Sequence, residues 1–142
     1  VYDGSDLKKY RDLGATGLQI GSRFIGTFEC DADERFKNFV INSKEEDLVI
    51  IQSPVGILGR AINNQFLKEI ALERRPSVRC INCLQTCDPR TTPYCISDAL
   101  IHSAKGEIEQ GLVFAGSNLN RIDKMVSVKS ILDEIVEEYQ GL

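Results

Sequence analysis

Gly14-Ala15-Thr16-Gly17-Leu18-Gln19-Ile20-Gly21-Ser22-Arg23-Phe24 is the stretch around which the rest of the chain can be placed. Gly14 reads as the residue just past a helix, because Ser5 to Leu13 carries an i, i+3 apolar stripe at Leu7, Tyr10 and Leu13 with Ser5 as a cap. Thr16 to Ile20 then reads as a short buried strand, closed by a Gly21-Ser22 turn. A helix, a tight turn, a strand and a glycine turn make one half of an α/β repeat. One such half cannot cover both faces of a parallel strand. The expectation is therefore a chain cut from a larger barrel or sheet, with a finished core extended beyond it. The opening Val1-Tyr2-Asp3-Gly4 lacks an initiating Met, in keeping with that expectation.

Working outward, the chain alternates helical patterns with short β-rich runs. Asp31 to about Ser43 reads as a helix with Asp31 and Glu34 forming a capping box, and with Phe36, Phe39 and Val40 on its apolar face. Leu48-Val49-Ile50-Ile51 is a strand candidate, punctuated by Ser53-Pro54-Val55-Gly56. Arg60 to about Arg74 reads as a third helix, stopped by Pro76. Val78 to Tyr94 is a cysteine-rich loop. Thr92-Pro93 reads as the entry to a further helix that Gly106 closes. Leu112-Val113-Phe114 is a short strand candidate, and Ser127 to Tyr139 has the clearest amphipathic pattern in the chain.

Composition narrows the function classes. The chain has 142 residues, 42% apolar and 27% charged, with a net charge of −4 and no basic block. Nucleic acid is therefore not an expected partner, since phosphodiester backbones reward clustered Lys and Arg. No apolar run approaches the ~20 residues that cross a bilayer, and no secretory leader opens the chain. The five cysteines are odd in number and four are crowded together, which suits a reducing cytoplasm better than a disulfide framework.

Two places can carry chemistry. At Gly21-Ser22, a strand end followed by Gly and a small hydroxyl residue leaves backbone N–H groups free, which is how phosphate is held at such ends. A plain β-to-α turn needs the same residues for backbone freedom alone. The second place is Cys80-x₂-Cys83-x₃-Cys87-x₇-Cys95. Four thiolates so spaced can close around zinc or an iron–sulfur cluster. They can equally serve as small buried residues, or as a redox pair at Cys80 and Cys83. Cys30 stands apart as structural. His102, the only histidine, reads as a surface or half-buried helix position. Arg60, Asn63 and Asn64 read as a solvated helix start, and Asn118 and Arg121 as loop residues with local backbone bonds.

Asp3-Gly4-Ser5-Asp6-Leu7-Lys8-Lys9-Tyr10 followed by Leu13 to Phe24 resembles the end of the barrel in nitronate monooxygenases and their relatives, the FMN-dependent enoyl-ACP reductases. The resemblance continues through Thr27-Phe28-Glu29-Cys30, Ser53 to Phe66, Leu112 to Asn118 and the final helix. It implies an α/β fold: the C-terminal fragment of a (β/α)₈ TIM barrel. Residues 1–25 would be the last helix–strand unit and residues 26–142 a mainly helical extension. It implies that Gln19, Ile20, Gly21 and Ser22 touch FMN, with the Gly21 and Ser22 amides on its phosphate. Arg23 is then either a further charge on that phosphate or a rim salt bridge. The implied partners are NAD(P)H, a small-molecule substrate and a second copy of the chain. The catalytic residues would lie outside this chain. The cysteine spacing itself resembles the cluster loops of some barrel flavoprotein reductases, with a different last gap. The competing reading takes residues 26–142 as a metal- or thiol-stabilised helical module for oligomerisation or docking.

Overall fold

The computed structural model describes residues 1–75 and 80–141. It is a mixed α/β arrangement of six helices and one hairpin among those residues. Helix α1 spans Gly4–Asp12, α2 Ser22–Ile25 and α3 Glu34–Asn42. Strands β1 (Leu48–Gln52) and β2 (Leu58–Ile62) pair antiparallel, with Val49 opposite Ala61 and Ile51 opposite Gly59. Then come α4 (Gln65–Leu72), α5 (Ile96–Ala104) and α6 (Val128–Gln140).

The hairpin gains a third partner from far along the chain. Ala61 bridges Phe114, Ile62 N–H donates to Val113 O at 2.9 Å, and Ala115 N–H donates to Arg60 O at 3.2 Å. Because successive strand residues face opposite ways, this small sheet buries both faces. Ala61 points into a cluster with Phe66, Leu67, Tyr94, Ile96, Ala99 and Leu112, under α4 and α5. Ile62 points into the other, with Val40, Val113, Ala115, Leu119 and Ile122, under α3. Gly59 belongs to this close packing, since a Cβ there would stand 2.6 Å from the Phe114 ring.

Helix α1 lies against α6 at the far end of the chain. Gly4 permits that approach, because an added Cβ would meet Ile135 O and Tyr139 N at 2.6 Å. The joint is polar as well as tight. Gly4 N–H donates to Glu138 Oε2 at 2.8 Å. Arg121 pairs with Asp3, and with Asp6 at 3.3 Å, and the Tyr2 hydroxyl donates to Arg121 O. The Tyr2 ring sits between two guanidinium groups, those of Arg23 and Arg121, each 4.1 Å from its centroid. Arg121 is thus a long-range clamp, not the local loop residue its sequence context implied.

That clamp has a pH signature. Burial opposes ionisation of Asp3, but the Asp6 amide, the Ser5 hydroxyl and Arg121 outweigh it and hold the carboxyl down at about 2. A carboxyl depressed on folding contributes stability above its unfolded value and loses it as pH falls through the folded one. Docking of α1 should therefore weaken between pH ~4 and ~2. Arg121→Ala should flatten that limb of a stability–pH profile, and an unchanged limb would refute the assignment.

Several sequence expectations are corrected. Thr16 to Ile20 forms no strand: among the described residues this segment pairs with nothing. A strand exists through its neighbours' hydrogen bonds, and none of this chain's own described segments supplies them. The α3 cap is Asp33, whose carboxylate accepts from Arg35 N–H at 2.8 Å, not Asp31. The third helix begins five residues later than expected, because 58–62 is strand β2 and Asn64 is the cap. The Pro76 stop and the start of the loop at Val78 lie outside the described residues. Thr92 and Pro93 stand upstream of α5, and Cys95 takes the cap position. The first helix forms over 4–12, but its cap is Asp3, whose carboxylate accepts from Asp6 N–H at 2.9 Å, not Ser5. The strand at 48–52 and the Ser127-capped final helix match expectation.

Tyr94 is 2% exposed, its ring packs edge-on to Phe66 at 5.2 Å, and its hydroxyl has no partner among the described residues. Burial pushes that hydroxyl up to about 12. An orphaned buried hydroxyl costs free energy while the ring gains it. Tyr94→Phe should leave stability unchanged or raise it by up to about 1 kcal/mol, measured by urea unfolding. A loss above ~1 kcal/mol would show that the hydroxyl does bond.

Candidate functional site

The Gly21-Ser22 turn is exposed and held from behind. Gly21 caps α2, and an added Cβ there would meet nothing within 4 Å. Among the described residues the Gly21 and Ser22 amides have no acceptor. Ser22 Oγ accepts from Gly116 N–H at 2.7 Å, which leaves the hydroxyl's own hydrogen free to be donated outward. Gly116 follows directly on Phe114 and Ala115, the segment paired with β2. The turn is therefore fixed to the sheet by a bond spanning 94 positions, and no local sequence signal marks Gly116 for that role.

Gln19 is exposed and Ile20 half-buried, on the unpaired run leading into the turn. Arg23 resolves between its two expected roles. It is 7% exposed, its Nη2 pairs with Glu134 at 2.7 Å, and its other arm donates to Tyr2 O. Its donors are committed to structure, so the turn offers an anion backbone amides and one hydroxyl rather than a guanidinium.

The four clustered cysteines are brought together, but not as a single-ion ligand set. Cys80, Cys83, Cys87 and Cys95 all line one cavity of about 130 Å³ beside the first turn of α5. Among the described residues, no three Cys, His, Asp or Glu side chains converge to hold one metal ion. Neither the zinc nor the cluster expectation thus finds a ready single-ion ligand group among the described residues, since a tetrahedral zinc site needs its sulfurs about 3.8 Å apart around one point. All five cysteines are free thiols, and Cys30 stands outside the group. His102 is half-buried on α5, where its Nδ1 pairs with Glu107 and Asp98 lies 3.6 Å from Nε2.

Asn64, expected at a solvated helix start, is instead 6% exposed. Its Oδ1 accepts from Leu67 N–H at 3.1 Å, and its Nδ2 donates to Ile108 O and Gly111 O at 2.7 and 2.8 Å. The signal that marks it is its place immediately before the apolar Phe66-Leu67 pair, which is an N-cap position. No helix among the described residues is long and apolar enough to cross a membrane.

Comparison with known proteins bears on the same regions. A chain described as a probable nitronate monooxygenase, from Staphylococcus aureus strain Newman, is 38% identical over 71 residues. That stretch is 50% of this chain and 20% of the relative. The counterpart from strain JH9 is 37% identical over a stretch of the same length. The solved structure of FabK from Thermotoga maritima superposes with a TM-score of 0.75 at 22% identity, covering 99% of this chain and 42% of FabK. The fold is thus shared with part of that chain, while the matched stretch spans about a fifth of the length of the curated relatives. The sequence profile described as nitronate monooxygenase matches residues 1–138, and the chain belongs to the nitronate monooxygenase family.

Proposed function

We propose that this chain is the C-terminal part of an FMN-dependent oxidoreductase of the nitronate monooxygenase type, and that its Gly21-Ser22 turn holds the FMN phosphate. Residues 1–25 would be the last helix–strand unit of a flavin-binding TIM barrel, and residues 26–142 the extension packed against it. The single observation carrying this reading is the pair of acceptor-free amides at an exposed turn whose Ser22 is tied to Gly116. Family membership supports it.

The residues fit a phosphate. Two backbone donors and a hydroxyl with a free hydrogen lie next to one another at a turn with open space beside Gly21, and such donors suit an anion without a charged partner. Bound FMN would supply the hydride and electron transfer. This chain's residues would bind and orient it at its phosphate end. NAD(P)H as donor, a nitronate or enoyl thioester as substrate, a homo-oligomeric assembly and a cytoplasmic setting complete the proposal.

The test uses the full-length polypeptide. It should release FMN on denaturation and oxidise NAD(P)H, and a colourless, flavin-free protein would refute the reading. Gly21→Asp probes the phosphate contact. Open space around Gly21 and an ordinary φ of −116° allow the side chain, but its charge opposes a phosphate. FMN affinity should fall at least about tenfold, while affinity for riboflavin, which lacks the phosphate, stays unchanged. An equal loss for both flavins would remove the phosphate from this turn.

A further inference from the structure

We propose that the cavity formed by Cys80, Cys83, Cys87 and Cys95 is the binding site of an iron–sulfur cluster. This inference stands independently of the flavin reading, because its evidence lies around α5 rather than at the Gly21-Ser22 turn.

Four cysteines from one loop and one helix start line a single cavity of about 130 Å³. They do not meet at a point. A single zinc ion would draw its sulfurs to one centre, whereas a cubane of iron and sulfide occupies volume and holds its cysteines at its outer corners. Four cysteines that line one space without forming a single-ion ligand set match the second case.

The backbone around these sulfurs is arranged for charge on them. Asn82 adopts a left-handed conformation, with φ of +52°, which a non-glycine residue takes rarely and Asn takes most readily. That bend turns the Asn82 N–H onto Cys80 Sγ at 3.4 Å. Amide N–H groups donated to sulfur stabilise metal-bound thiolates and tune cluster potential. Ser97 Oγ lies 3.3 Å from Cys83 Sγ, a hydroxyl-to-sulfur approach on the cavity wall. Cys95 caps the nine-residue helix α5 with its carbonyl, which accepts from Ala99 N–H at 3.0 Å, while its side chain bonds none of the helix amides. Ile96 and Ser97 of the first turn also line the cavity. The positive end of α5 therefore faces the anionic group.

The remaining walls are mixed, with Asn82, Thr92, Ser97 and Asp98 on the polar side. Leu84, Ile96 and Ile101 form the apolar side, which limits water at a cluster. The loop is fastened at its far end: Arg75 N–H donates to Pro93 O at 2.7 Å, and the Arg74 guanidinium donates to Thr92 O and Arg90 O. Cys87 and Cys95 thus sit on either side of a fixed anchor.

The experiment is anaerobic purification of the full-length polypeptide, with reconstitution by ferrous iron and sulfide and subsequent flavin extraction. About four iron and four sulfide per chain are expected, with broad absorbance near ~400 nm that bleaches with dithionite. Cys83→Ser and Cys87→Ala should each lower bound iron at least about fivefold. Cys30→Ser, outside the cavity, should retain it. One zinc per chain, or iron and sulfide below about a tenth of these amounts, would overturn the proposal. Wild-type stoichiometry decides the matter even if a cysteine variant does not fold. Flavin-replete protein without iron would sink the cluster alone, and iron-replete protein without flavin would sink the flavin reading alone.

Discussion

Replacing Asn64 by Ala should lower the unfolding free energy by about 2–4 kcal/mol. The residue does three jobs with one amide group. Its Oδ1 caps α4 at Leu67 N–H, and its Nδ2 donates to Ile108 O and Gly111 O. A lost cap costs about 1 kcal/mol and each buried group left without a partner about 1–3 kcal/mol. Ile108 O keeps a second donor, Gly111 N–H at 3.4 Å, so the orphaned groups are chiefly Leu67 N–H and Gly111 O. Ser and Asp variants separate these jobs. Asn64→Ser keeps the cap and loses the donors, so it should cost less than Ala. Asn64→Asp keeps the cap but sets a carboxylate against two carbonyl oxygens at neutral pH. It should cost at least as much as Ala, and part of the loss should return on acidification as the protonated carboxyl donates again. Urea unfolding of the three variants gives the order directly. An Ala variant within ~1 kcal/mol of wild type would show that Asn64 does not bridge α4 to the 108–111 turn.

Asn64 also shows where sequence reading stops. Its type announces a cap, and its place before Phe66-Leu67 announces which helix. What hides it is the strand just upstream. Arg60 and Ala61 carry no β signature of their own, and with Ile62, Phe66 and Ile70 they extend a helical stripe backwards. They become strand because Leu48–Gln52 and Phe114 lie on either side of them, and pairing overrides weak local preference. The same physics works in reverse at Thr16 to Ile20. That run has a strand's composition and no partner among the described residues, so it stays unpaired. The final helix needed no such context, since Ser127 caps it through Ser130 N–H at 3.0 Å and its apolar stripe is continuous.

The candidate sites divide along the same line. Cys80, Cys83, Cys87 and Cys95 are close in sequence, so their gathering around one cavity was legible; that they line it without forming a single-ion ligand set was not. Gly21 and Ser22 were legible as a turn with free amides. Their support by Gly116 was not, because it comes from 94 positions away. Arg23 was legible only as a choice between a phosphate charge and a rim salt bridge, and it is a structural cation, since Glu134 and Tyr2, at opposite ends of the sequence, claim its donors.

That long-range support makes Gly111 the other position of large effect. Leu112 N–H donates to Ala99 O at 3.0 Å, and the Ser103 hydroxyl lies between Ala99 O and Leu112 O, donating its one hydrogen to the nearer Leu112 O at 2.6 Å. Helix α5 and the 111–116 segment therefore touch backbone to backbone. A Cβ on Gly111 would stand 2.3 Å from Ser103 Oγ, 2.5 Å from Ser103 N and 2.8 Å from Ser103 Cα. Only the hydroxyl could turn away; the other two atoms belong to the helix. Gly111→Ala should thus cost roughly 3 kcal/mol, the upper part of the range for overpacking a dense interior. The double variant Gly111→Ala/Ser103→Ala should not recover it, because the backbone of residue 103 still occupies the space the new methyl group needs. Full recovery in the double variant would mean that the clash is with the hydroxyl alone. The displacement should also travel. Segment 111–116 continues through its pairing with β2 to Gly116, whose N–H holds Ser22. If α5 pushes that segment aside, the Ser22 turn loses its support, and FMN affinity of the full-length protein should fall together with stability. Ser22→Ala removes the same bond without the clash, together with the hydroxyl proposed to face the phosphate, so it should weaken FMN with little change in unfolding free energy. Gly111→Ala keeps that hydroxyl, so a loss of FMN affinity in Gly111→Ala is what shows that the turn needs Gly116, and an unchanged affinity would show that it merely sits beside it.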